Sequence, residues 1–162
     1  MGDFKDDLFN ERRDIKLVKD WLEVKHLVEG TEEASDQEQQ EHHFDFYGYL
    51  YGERTTFEAK IRSKIYEDLL IETLSCIEKK TLGWIYLSEA KHLIYSIIEN
   101  KKIQRLSMYA LPKLREWWVT VGSYKIYKKF YGKTGTLYST ENYAVTLRDI
   151  PRDILEFEWK DF

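Results

Sequence analysis

Hydrophobic positions change their period along the chain, and those changes mark out the elements. From about Asp3 to Val28, Leu8, Ile15, Val18 and Leu22 recur at helical spacing, with Trp21 and Val28 widening the stripe, which predicts one amphipathic helix. Glu11 falls on the same stripe, four residues before Ile15 and seven before Val18. Gly30 to Glu41 (GTEEASDQEQQE) is polar and aperiodic and is expected to be a loop. From His43 to Arg62 the period becomes two: Phe44, Phe46, Gly48 and Leu50 alternate with Asp45, Tyr47, Tyr49 and Tyr51. Beyond Gly52-Glu53, Thr55, Phe57, Ala59 and Ile61 alternate with Arg54, Thr56, Glu58, Lys60 and Arg62. Two alternating runs joined by Gly-X predict a hairpin with a two-residue loop.

Ser63 to Lys80 reads as a second helix, capped by Ser63, with Ile65, Leu69 and Cys76, and Leu70, Leu74 and Ile77, at helical spacing. Thr81 to Leu87 and Lys91 to Ile98 read as strands, the second buried; Ile103 to Ala110 is a further strand candidate. Pro112 predicts a short helix starting there, and LEFEW near the C-terminus alternates like a strand. No internal repeat or linker interrupts residues 1–162, so a single α/β or α+β domain with a mixed sheet is expected.

Charge alters this picture once it is divided by segment. The whole chain of 162 residues carries a net charge of -4, which on its own disfavours a nucleic-acid partner. Residues 1–53 hold 6 basic and 15 acidic side chains, a net of -9. Residues 54–140 hold 16 and 8, a net of +8, and residues 141–162 a net of -3. The middle block is basic enough to meet a polyanion. No apolar run approaches the roughly 20 residues of a membrane helix, so no membrane partner and a cytoplasmic location are expected. The single cysteine, Cys76, excludes an intramolecular disulfide and a Cys-based zinc finger.

The hairpin carries the candidate chemistry. With Gly52-Glu53 as its loop, Tyr51 pairs with Arg54, Tyr47 with Glu58 and Asp45 with Lys60. Asp45, Glu58 and Lys60 then share one face, and Phe44, Phe46, Leu50, Phe57 and Ile61 the other. Two carboxylates about 5–8 Å apart can hold a hard divalent cation, and a lysine beside them can orient or deprotonate a water. The same face also reads as an ordinary solvent-facing ion pair, and acid-x-Lys recurs at Asp14-Lys16, Glu23-Lys25, Glu89-Lys91 and Glu158-Lys160. A zinc reading of His42 and His43 is disfavoured, because adjacent strand side chains point to opposite faces.

Asp45, then Glu58-Ala59-Lys60 across a hairpin that follows a helix, resembles the PD-(D/E)XK nuclease superfamily, especially small phage and prokaryotic members. The similarity spans roughly residues 8–118 and includes Gln40, five before Asp45, and Glu72 in DLLIET, although His43-Phe44 stands where Gly-Ile is usual. The resemblance implies a restriction-endonuclease-like αβββαβ core with a mixed central sheet flanked by helices. It also implies Mg²⁺- or Mn²⁺-dependent phosphodiester hydrolysis, an endonuclease or phosphodiesterase activity. Asp45, Glu58 and the Ala59 carbonyl would bind metal, Lys60 would position the water, and Glu11, Gln40 and Glu72 would be auxiliary.

From Lys113 to Lys133 six basic residues meet one acidic residue, and Trp117, Trp118, Tyr124, Tyr127, Phe130 and Tyr131 interleave with Lys125, Lys128, Lys129 and Lys133. Such a stretch, an elaboration from about residue 112, can meet phosphates and stack on bases; a solvated lysine face over core aromatics explains it equally well. Arg62 and Lys64 join these lysines as candidate nucleic-acid contacts, with DNA preferred to RNA and a homodimer allowed. The alternatives to a nuclease are a catalytically inactive nuclease-like binding or inhibitory module, and a phage structural or assembly protein.

Overall fold

The computed structural model describes residues 4–134 and 138–161, with side chains described from residue 12 onward except at 133, 134 and 138. The N-terminal helix α1 (Phe4–Val24) follows the predicted stripe, with Val18 and Leu22 fully buried. A short strand β1 (Glu29–Glu33) and helix α2 (Asp36–His42) lead into the hairpin of β2 (Phe46–Leu50) and β3 (Glu53–Arg62). Then come β4 (Asp68–Cys76), β5 (Thr81–Leu82), α3 (Trp84–Leu87), β6 (His92–Glu99), β7 (Lys102–Ala110) and α4 (Leu111–Thr120). Strands β8 (Lys128–Thr134), β9 (Tyr138–Thr146) and β10 (Leu155–Lys160) complete the chain.

The strands form two sheets. Six lie in the order β1-β2-β3-β6-β7-β10 and four in the order β5-β4-β9-β8. The larger sheet is mixed: β3 runs parallel to β6, and every other neighbour is antiparallel. Period-two alternation sorts its residues between two cores. Phe46, Phe57, Ala59, Ile94, Leu106 and Met108 pack with Val18 and Leu22 of α1. On the opposite face, Leu93, Tyr95 and Tyr109 meet Leu69 and Ile71 of β4, Val145 of β9, and Trp84, Leu114 and Trp118 of α3 and α4. Each fully buried large apolar side chain contributes roughly 1.5–3 kcal/mol of transfer free energy.

Four expectations change. The second helix is instead strand β4: Leu69, Ile71 and Thr73 point inward at alternate positions while β9 supplies the ladder partners. Its apolar outward residues Leu70 and Leu74 mimic a helical stripe. The expected polar loop at 30–41 is taken up by β1, which pairs with β2 at the sheet edge, and by α2, which Ser35 and Glu38 start with reciprocal capping-box bonds. The stretch 81–87 is a two-residue strand followed by α3, not one strand. Phe44 packs with Tyr47 and Trp84 rather than with Phe46, because it precedes β2, where the alternation has not begun.

The hairpin loop is Tyr51-Gly52, with Leu50 opposite Glu53 and positive φ of 52° and 80° at the loop residues. Two consecutive positive-φ residues make the turn whose twist matches a hairpin. Phe46 therefore pairs with Phe57, and Tyr47 with Thr56 rather than Glu58. A shift of two positions in pairing preserves parity, so Asp45, Glu58 and Lys60 stay on a common face.

Candidate active site

Beyond the last hairpin pair, the Asp45 N–H donates to the Phe57 carbonyl at 2.8 Å, and the Ala59 N–H donates to Asp45 Oδ2 at 2.7 Å. These two bonds set Asp45 against the Glu58-Ala59-Lys60 tripeptide. Ala59 turns its side chain to the α1 core, so its neighbours Glu58 and Lys60 face the other layer. There Asp45, Glu58, Lys60 and Glu72 line one cleft of about 260 Å³, with Gln39, His43 and Trp84 also on its wall.

Lys60 Nζ lies 3.0 Å from Glu58 Oε1, and Glu58 is only 6% exposed. Burial opposes the charge on Lys60, but Glu58, Asp45 and Glu72 overcome it and hold its pKa above the ordinary lysine value. Lys60 is therefore an ammonium throughout the neutral range. The Ser88 hydroxyl reaches Glu58 Oε2 at 3.4 Å. Glu72, half-buried on β4, has its pKa raised by burial and by Glu58, against the pull of Lys60 and a hydrogen bond from the Trp84 N–H. Gly83 fixes this carboxylate's strand: its N–H donates to the Thr73 carbonyl at 2.9 Å, and a Cβ on it would lie 2.2 Å from the Glu72 carbonyl oxygen.

The cleft thus joins Asp45, Glu58, Lys60 and Glu72, but Glu72 arrives from a strand instead of the expected helix. Gln40 is exposed on α2 and absent from the cleft wall; its neighbour Gln39 lines the cleft and donates its amide to the Ala34 carbonyl at 2.9 Å. The S-x-x-E capping signature at Ser35–Glu38 was the available signal for the helix that orients it. Glu11 lies on α1, with its side chain outside the described residues. Asp14, three residues on, shares a second cleft of about 350 Å³ with Ala59, Lys60 and Arg62. In the sequence it appears only as the acid of Asp14-Ile15-Lys16, an i, i+2 pair on a helix.

Two carboxylates, Asp45 just before β2 and Glu58 on β3, compensated by an ammonium, are the hard-oxygen donor chemistry that Mg²⁺ or Mn²⁺ takes. Among the described residues, no set of three or more His, Cys, Asp and Glu side chains is arranged to hold a metal ion, so waters or substrate oxygens would complete the shell. His42 pairs with Glu89, and His92 Nδ1 sits 2.6 Å from Glu156, leaving both histidines engaged away from Asp45.

The expected nucleic-acid contacts divide. Arg62 is committed to Asp68, to the Tyr95 hydroxyl at 3.3 Å and to the Tyr66 ring at 4.0 Å. Lys64 is exposed in the β3–β4 connection, and Lys125, Lys128 and Lys129 are exposed in or before the edge strand β8. Tyr124 and Tyr131 beside them are also exposed, whereas Trp117 and Trp118 are core. The Lys133 side chain lies outside the described residues. Among the described residues no helix is long and apolar enough to cross a membrane. Comparisons with models of protein families, with curated proteins and with solved structures found no match.

Proposed function

We propose that this chain is a metal-dependent nuclease hydrolysing phosphodiester bonds. The carrying observation is the convergence of Asp45, Glu58 and Glu72 on Lys60 in one cleft. The order of α1, β1, β2 and β3, with β6 added parallel to β3, supports a restriction-endonuclease-like core, although the crossover runs through β4, β5 and α3 rather than one long helix.

Asp45 and Glu58, with the Ala59 carbonyl, would hold Mg²⁺ or Mn²⁺; the ion supplies charge that acidifies water and offsets the phosphate. Lys60, held cationic, orients the attacking water and stabilises charge building on the phosphoryl oxygens, rather than removing a proton. Glu72, raised by burial, is the carboxylate suited to accept the water's proton as the oxygen bonds to phosphorus and the leaving oxygen departs. The exposed lysines of 125–129 offer phosphate contacts to the incoming strand. DNA is preferred as substrate on the resemblance alone.

Incubation with single- and double-stranded DNA and RNA, in Mg²⁺, Mn²⁺ or EDTA, tests this reading. Cleavage of at least one substrate with metal and none in EDTA supports it; no cleavage of any sinks it. A second reading, a nuclease-like module that binds without cutting, draws on the Lys60–Glu58 ion pair, which already neutralises a carboxylate a metal would need. Nucleic-acid binding without metal binding or cleavage would favour it.

A further inference from the structure

A separate cavity, of about 380 Å³, opens where β7 meets β10, and shares no wall residue with the cleft at Asp45. Its wall carries Arg105, Arg148, Arg152 and Lys160 against only Glu67 and Glu158, and Tyr109 also lines it. The volume falls within the roughly 300–1,000 Å³ of small-molecule sites.

Arg105 is the unusual member. Its side chain is 4% exposed, and its Nε is buried without a hydrogen-bond partner among the described residues. Nη2 donates to Glu158 at 3.0 Å, a close charge-assisted bond, whereas Nη1 reaches Glu67 only at 3.4 and 3.5 Å. Glu67 is 70% exposed, so it holds the guanidinium weakly and from the solvent side. Arg148 and Arg152 are exposed and form no ion pair among the described residues. Burial pushes the Tyr109 hydroxyl up to about 12, which keeps it a donor at neutral pH.

We propose that this cavity binds a phosphate group, free or as the monoester of a small molecule, which exchanges with Glu67 for Arg105. A tetrahedral anion can meet cations converging from β7, β10 and the β9–β10 connection, and the guanidinium fork favours phosphate oxygens. Glu158, on the same wall, holds both Arg105 Nη2 and Lys160 Nζ at 3.0 Å, so these two cations stay paired before and after exchange and the exposed Arg148 and Arg152 supply the uncompensated charge. The site is independent of the nuclease reading.

The test is thermal shift and calorimetric titration of the wild-type chain in EDTA at constant ionic strength. Inorganic phosphate, a nucleoside monophosphate and the unphosphorylated nucleoside are the probes. Saturable binding of either phosphate-bearing probe but not of the nucleoside is expected; tighter binding of the monophosphate identifies an ester as the ligand, and equal binding identifies the phosphate alone. The Arg148→Ala/Arg152→Ala variant, altered only at exposed positions, should lose at least about tenfold in affinity. Glu67→Gln should bind several-fold more tightly, because the competing carboxylate is gone. Affinity unchanged in the arginine variant, weakened or unchanged affinity in Glu67→Gln, or no saturable binding overturns the proposal.

Discussion

The Asp45 carboxylate accepts the Ala59 backbone N–H at 2.7 Å, tying the residue before β2 to the peptide between Glu58 and Lys60. One side chain thereby serves both as a structural clamp and as a candidate metal ligand. Asp45→Asn keeps an acceptor for Ala59 and removes the charge. Its melting temperature should stay near wild type while Mn²⁺ affinity falls, as read by calorimetry. Asp45→Ala loses both, with a stability cost of about 1–3 kcal/mol for the stranded N–H. Equal Mn²⁺ affinity in Asp45→Asn and wild type would exclude Asp45 as a ligand.

Glu72 gives a pH signature. Its folded-state pKa lies above the unfolded value, so the folded chain binds that proton more tightly, and ionisation of Glu72 subtracts stability as pH rises through this range. Glu72→Gln should therefore raise the melting temperature at pH 7–8, and the advantage should close below the ordinary carboxylate pKa of about 4.3. Melting curves across pH 4–8 decide it; a variant less stable at pH 8 than at pH 4, relative to wild type, reverses the sign.

The hairpin turn offers a structural check. Tyr51 is 90% exposed yet sits at φ 52°, a conformation that favours asparagine or glycine. Tyr51→Asn should stabilise the chain by about 0.5–1 kcal/mol, whereas Gly52→Ala should cost about 1 kcal/mol through backbone strain alone, since nothing lies within 4 Å of its added Cβ. Denaturant midpoints measure both. Destabilisation by Tyr51→Asn would show that the loop residues are not those at 51 and 52.

Arginine and lysine candidates separate by environment. Lys125→Ala and Lys128→Ala should weaken nucleic-acid binding evenly across sequences, each lowering the salt slope by about 0.7–0.9. Arg62→Ala should instead lower the melting temperature, because Asp68 and the Tyr95 hydroxyl lose their partner. Salt titrations of binding alongside melting curves tell the roles apart; an unchanged salt slope in the lysine variants would remove β8 from the interface.

The hairpin was legible because its faces obey parity: the pairing moved by two positions and Asp45, Glu58 and Lys60 remained together. What failed was local. Leu69 and Cys76, and Leu70, Leu74 and Ile77, satisfy helical stripes, yet 69–74 equally fits a strand with apolar residues on both sides, and pairing with β9, some 70 residues on, decides for the strand. β1 has almost no hydrophobic signal because it is an exposed edge that owes its form to β2. Glu72 reached the cleft for a reason the helical reading did not contain, namely the close fit of Gly83 against its backbone. Gln39 was missed beside Gln40 because a seven-residue polar helix leaves no buried residue to mark its inner face. The acidic N-terminal block and the basic middle meet at the hairpin, which the net charge of -4 conceals.

Single-turnover cleavage rates in Mg²⁺ of wild type, Glu58→Ala and Lys60→Ala decide whether the Asp45–Glu58–Lys60 cleft hydrolyses phosphodiesters. Metal-dependent cleavage by the wild type, reduced about 100-fold or more in each folded variant, is the expected result. Cleavage at equal rates by all three would contradict it.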